Sequence, residues 1–170
     1  PLDEETDIGT IINKKQYDKV CSYIKDGLEN DNSTLICGGL PPLKGDLSKG
    51  YFTLPTIFSN SSNNWRLAKE EIFGPVLVAI KWKNEEDVIS MANESHYGLA
   101  AYIWTKNLTK GINMANKIES GWIQINQGLG QVPGHSYGGF KQSGLGKEFS
   151  LEGMLDSYTQ KKNITINLKL

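Results

Sequence analysis

Residues 76–126, VLVAIKWKNEEDVISMANESHYGLAAYIWTKNLTKGINMANKIESGWIQIN, decide the fold. Val76–Trp82 is a nearly continuous apolar run, the pattern of a strand covered on both faces. Asn84 then stands as a helix cap, with Glu85, Glu86 and Asp87 in the first turn, where negative charge offsets the helix dipole. Gly98–Thr105 reads as a second strand. Asn107 caps a second helix, whose apolar residues Leu108, Ile112, Ala115 and Ile118 fall at helical spacing, and Gly121–Asn126 is a third strand. Strands alternating with such helices predict βαβ crossovers, a parallel sheet and the α/β class. Ligands of such sheets gather at the carboxyl ends of the strands.

Outward from this segment the pattern is less regular. Upstream, Asn13 is an N-cap with Gln16 three residues on, and Tyr17, Val20, Cys21, Ile24 and Leu28 recur at helical spacing, which places Cys21 on a buried face. Thr34–Cys37 reads as a short strand stopped by Gly38 and Gly39, and Tyr51–Phe58 as another broken by Pro55, with a loop between them. Downstream, residues 157–170 alternate apolar and polar at Ile164, Ile166, Leu168 and Leu170, as an edge strand does. Such a strand must add to a sheet of this chain or of another subunit.

The 170 residues suit one domain of ordinary size with a real core. Eighteen Lys plus Arg against 19 Asp plus Glu give a net charge of −1 without a basic block, which argues against nucleic acid as a partner. No apolar run reaches membrane-spanning length and the opening lacks the pattern of a signal peptide, so the chain is expected to be cytoplasmic. Cys21 and Cys37, with no CxxC and only His96 and His135 beside them, form neither a zinc site nor a disulfide framework, and no metal is expected. Both cysteines read as small core residues.

Two stretches tempt towards nucleotide motifs and fail. Gly128–Gly134 starts GxG, but its third glycine falls one residue late for GxGxxG and no helix follows; Gly144–Glu148 lacks the first glycine of a P-loop. Residues 125–148 are nevertheless rich in glycine and follow the third strand. Glycine is costly to order, so such a segment marks tight turns or close backbone approach and is a candidate site wall, or else a surface loop. The other candidate is EEIFGPV, Glu70–Val76. Its paired acids are either the solvated end of a strand or a carboxylate suited to the vicinal hydroxyls of a ribose, with Phe73 pressing a planar ring and Gly74–Pro75 fixing the turn.

KEEIFGPV, YGLAA followed by a strand and Thr105, and GGFKQSGLGKE occur in the order and at the approximate spacings of aldehyde dehydrogenases, and the opening 39 residues resemble that family's segment after the nucleophile. The chain therefore resembles the family's carboxyl-terminal part over essentially its whole length. The resemblance implies a three-layer αβα parallel sheet over residues 1–157, the C-terminal part of the catalytic domain, and an oligomerisation strand over 158–170. It implies oxidation of an aldehyde to a carboxylic acid with NAD or NADP, through a cysteine thiohemiacetal and thioester. By motif, Glu71 matches the residue that binds the nicotinamide ribose and Phe73 the aromatic beside the nicotinamide, while Glu70 is a surface residue. Tyr137 and Gln131 would line the aldehyde pocket, and Glu148 matches a buried glutamate implicated in proton relay for some members.

The strand at 158–170 implies a homodimer or homotetramer. Ser136 stands where the family commonly has proline, Gln124 where an aromatic is frequent, and Lys147 where arginine is usual. Neither cysteine matches the nucleophile motif. The nucleophile, the general-base glutamate and the Rossmann half precede this segment in the family, so the chain is expected to be inactive alone. Two alternatives stay open: a non-catalytic dimerisation module derived from the family, and a CoA-acylating member.

Overall fold

The computed structural model describes residues 3–60, 62–128, 130 and 132–168. The chain divides between Lys83 and Asn84 into two compact units.

In the first unit, helix α1 (Lys14–Glu29) starts where Asn13 Oδ1 accepts the backbone N–H of Gln16 at 2.9 Å, satisfying one of the donors a helix start leaves unpaired. Its buried face is Val20, Tyr23, Ile24 and Gly27. A Cβ on Gly27 would stand 2.5 Å from Phe58 Cζ, so the helix backbone lies directly on that ring. Phe58 is the middle residue of β2 (Thr56–Asn60), fully buried and edge-on to Trp65 at 5.8 Å. Strand β2 is central in its sheet, antiparallel to β1 (Ser33–Cys37) and parallel to β3 (Val76–Ala79). The crossover from β2 to β3 holds the one-turn helix α2 (Arg66–Lys69).

Some local expectations shift. The strand expected over 51–58 begins only at Thr56, whose N–H donates to Pro75 O at 2.8 Å; Pro55 has no N–H for the ladder. Cys21 is half-buried because the packed face turns towards Tyr23, leaving Leu28 45% exposed, and burial pushes the Cys21 thiol up. Cys37, expected in the core, is exposed: β1 is an edge strand whose register slips between Leu35 and Cys37.

In the second unit, Asn84 Oδ1 accepts from Asp87 N at 2.9 Å to start α3 (Glu85–Asn93), and Asn107 Oδ1 accepts from Lys110 N at 3.1 Å to start α4 (Leu108–Lys117). The run 98–105 splits in two. Strand β4 (Tyr97–Gly98) pairs antiparallel with β7 (Phe140–Lys141), whereas β5 (Ala100–Ile103) pairs in parallel with β6 (Trp122–Ile125) across α4. Asn126 closes the β5–β6 pair, donating to Thr105 O and accepting from Thr105 N, each at 2.8 Å. The expected parallel strands are thus present, but β3 finds its parallel partner in β2 and β5 finds its own in β6. A further helix, α5 (Leu151–Tyr158), is capped by Ser150 and takes Tyr158 out of the expected tail strand. Residues 159–168 are exposed and carry no strand.

Replacing Phe58 by Ala empties the contact shared by α1, β2 and Trp65. The expected loss is about 3–5 kcal/mol of unfolding free energy, read as a lower urea midpoint at unchanged slope. A loss under about 1 kcal/mol, within the range of surface substitutions and mild core changes, would contradict its central place.

Candidate functional site

The turn between α2 and β3 is built from α1. Glu70, expected at the surface, is exposed and is also a clamp: its Oε2 accepts the Tyr23 hydroxyl at 2.5 Å and Arg66 Nε at 3.2 Å, while the Arg66 guanidinium lies 4.1 Å from the centre of the Tyr23 ring. The Tyr23 hydrogen bond, with help from Arg66, lowers the pKa of Glu70, and burial pushes Tyr23 up. The next three carbonyls all accept from α1. Lys19 Nζ donates to Glu71 O at 2.8 Å, and Gln16 Nε2 donates to Ile72 O at 2.9 Å and Phe73 O at 3.0 Å.

Ile72 is buried in the core, so Glu71 and Phe73 on either side of it are exposed. Phe73 is 75% exposed and sits at φ 58°, the left-handed region that a bulky residue adopts at a cost on the order of 1 kcal/mol. Gly74 is needed for the approach to α1, since a Cβ there would meet Val20 Cγ2 at 2.5 Å. The exposed carboxylate and the exposed ring stand two residues apart, which fits both the solvated-end and the ribose-binding readings of the sequence. Their anchors, Gln16 and Lys19, were missed; the available signal was a glutamine at the third position of a capped helix, whose side chain serves the turn instead of the cap.

In the second unit the glycine-rich segment folds back on itself. Tyr137 and Glu148 form an antiparallel bridge, Tyr137 N donating to Glu148 O at 2.8 Å and Glu148 N to Tyr137 O at 2.6 Å. The Tyr137 ring packs edge-on against Trp122 at 5.3 Å and against Phe149 at 6.0 Å. Here the glycines serve close backbone packing: a Cβ on Gly121 would fall 1.7 Å from Gly138 O. Lys147 Nζ donates to Gly138 O at 2.9 Å and Gly139 O at 2.8 Å and lies 4.7 Å from the Phe140 ring centre, so it latches the turn that carries Tyr137. Glu148, matched to a buried glutamate, is instead exposed, since it is its backbone that pairs with Tyr137, and it borders a cavity of about 250 Å³ with Phe149, Met154 and Tyr158. A larger cavity of about 550 Å³ lies along β6, lined by Trp122, Gln124, Val132, His135 and Ser136 among others. Gln131 lies outside the described residues. Among the described residues, no three His, Cys, Asp or Glu side chains gather to hold a metal ion, and no helix is long and apolar enough to cross a membrane.

The model of the aldehyde dehydrogenase family matches residues 1–164. The chain belongs to the aldehyde dehydrogenase family. It is 38% identical over 169 residues to the hydroxyisobutyraldehyde dehydrogenase of Mycolicibacterium austroafricanum, covering 99% of this chain and 33% of that protein. The Mycobacterium tuberculosis aldehyde dehydrogenase solved with NAD+ superposes with a TM-score of 0.88 at 40% identity, covering 100% of this chain and 34% of the other. The NAD+ complex of the Bacillus cereus aldehyde dehydrogenase gives 0.87 at 40% identity, over 98% and 33%. The α/β architecture with parallel strand pairs is that of the family's catalytic domain. The chain spans about a third of the length of the relatives it matches.

The Glu70 clamp sets a pH dependence. A carboxyl held below its ordinary value stabilises the fold above the ordinary carboxylate range and loses that contribution as pH falls through the depressed value. Tyr23→Phe, which removes the largest cause, is expected to raise the Glu70 pKa towards the ordinary range in a carbon-13 titration of the side-chain carboxyl. An unchanged midpoint would contradict the clamp.

Proposed function

We propose that the chain is the part of an NAD(P)-linked, aldehyde-oxidising enzyme that grips the nicotinamide end of the cofactor and walls the aldehyde pocket. The observation that carries this reading is the outward Phe73, exposed and left-handed beside the exposed Glu71. A nicotinamide riboside presents vicinal hydroxyls and a flat ring; the Glu71 carboxylate accepts from the former and Phe73 bears on the latter. When bound, the dinucleotide supplies the two-electron oxidant. This chain's contribution is position, since a ring held rigidly near the reacting carbon saves the entropy of finding it. Gln16 and Lys19 supply that rigidity through the turn's carbonyls.

Tyr137 and Gln131 line the aldehyde pocket on this reading, Tyr137 being set by Trp122, Phe149 and the Lys147 latch. Glu148 serves as a proton relay at its edge, the product being a carboxylic acid. The segment that follows α5, from residue 159, acts as the oligomerisation strand by pairing with a second copy. Ile164, Ile166 and Leu168 are 72%, 71% and 89% exposed and alternate with polar residues, which suits addition to the sheet edge of a second copy in a homodimer or homotetramer.

In the complete enzyme, Glu71→Gln replaces a charged acceptor by a neutral one. The expected result is roughly tenfold weaker NAD+ binding together with slower NADH formation in stopped flow. Unchanged affinity and rate would overturn the assignment of Glu71.

A further inference from the structure

The α1 side chains that reach the turn, Gln16, Lys19 and Tyr23, are spaced three and four residues apart and so share one face of the helix. They meet the turn in reverse order. Gln16 donates to the carbonyls of Ile72 and Phe73, Lys19 to that of Glu71, and the Tyr23 hydroxyl to the carboxylate of Glu70. A helix rising about 1.5 Å per residue advances about 10 Å from position 16 to position 23, which is about the reach of three steps of extended chain. Residues 70–73 are thus laid along α1 in register, and a slip of one residue would undo every one of these contacts.

The Tyr23 end differs from the rest, because it holds a side chain and because a second element closes it. Arg66 of α2 donates to the same Glu70 oxygen and lies 4.1 Å from the centre of the Tyr23 ring. The Arg66 and Glu70 side chains are 45% and 53% exposed, and an ion pair so open to water adds little to folding stability. What it does fix is place. Glu70 is held immediately before Glu71, and Lys19 holds the carbonyl of Glu71 itself, so the backbone that carries the Glu71 side chain is tied on both sides.

We propose that Glu70, Tyr23 and Arg66 are positioning residues for the cofactor: by holding the backbone at Glu71 they set where its carboxylate meets the ribose hydroxyls. The inference rests on the reading of Glu71 as the ribose acceptor. It divides the labour of the paired acids, the charge of Glu70 being taken up by Arg66 and the Tyr23 hydroxyl, while Glu71 stays exposed to a ligand. Hydrogen bonds weaken steeply with misalignment, so a small displacement of Glu71 lowers affinity.

The test is a double-mutant cycle on NAD+ affinity in the complete enzyme, with Glu70→Gln, Glu71→Gln and both together. Glu70→Gln keeps the length of the side chain and removes its charge. It is expected to weaken NAD+ binding about threefold, and to cause no further loss where position 71 already carries the glutamine. Arg66→Met is expected to behave alike and Arg66→Lys to restore most of the affinity; this pair decides should Glu70→Gln not fold. An equal loss in both backgrounds would mean that Glu70 does not act through Glu71 and overturns the proposal. Full affinity in Glu70→Gln beside a weakened Glu71→Gln overturns it too, and leaves the functional reading standing. Full affinity in Glu71→Gln removes that reading and the proposal with it.

Discussion

The side-chain amide of Gln16 spends both its N–H bonds on the carbonyls of Ile72 and Phe73, and the first unit's candidate site takes its shape from that pair. With Lys19 on Glu71 O, three consecutive carbonyls are bound to one helix. They hold Phe73 in a left-handed conformation that its own side chain disfavours. Ile72 then enters the core as the inward anchor, and Glu71 and Phe73 are left facing out. The two needs are coupled, because the helix approaches closely enough to reach the turn only where position 74 lacks a Cβ. Glu70 works at the other end of the same turn, tying α2 to Tyr23 and so to α1.

In the second unit, cost in glycine is exchanged for close backbone packing. Gly121 and Gly138 let the start of β6 meet the returning loop, and the Lys147 ammonium fills the junction by binding two adjacent carbonyls. Glu148 acts structurally through its backbone, paired to Tyr137, whereas its carboxylate faces outward. The order of the segment therefore depends on the cation next to Glu148 as much as on the glutamate that the family pattern singles out.

Local physics made much of this visible in the sequence. The three asparagine caps at 13, 84 and 107 all bind the N–H three residues on, because a cap is decided within one turn of chain. The apolar runs at 76, 100 and 122 became strands for a similar reason. Pairing was less visible: Gln16 finds its acceptors 56 and 57 residues away, and the slip of β1 that exposes Cys37 depends on its fit to β2. Helix α5 escaped because Ser150 is followed at its third position by Gly153, not by the glutamate that completes a capping box. Glu71, Phe73 and Tyr137 were singled out by family motifs, whereas the contacts by which Gln16, Lys19 and Lys147 hold their backbone surroundings appear only in three dimensions.

Helix α1, through Gln16, imposes the outward, left-handed Phe73. A left-handed residue brings its own amide and α protons close together, giving a strong intraresidue cross-peak in a nuclear Overhauser spectrum. That cross-peak is expected to be strong for Phe73 in the native chain and to weaken to the extended-backbone level in Gln16→Leu, with the signals of Val20 and Ile24 unmoved. A cross-peak equally strong in both proteins would mean that the turn holds itself and that α1 merely lies beside it.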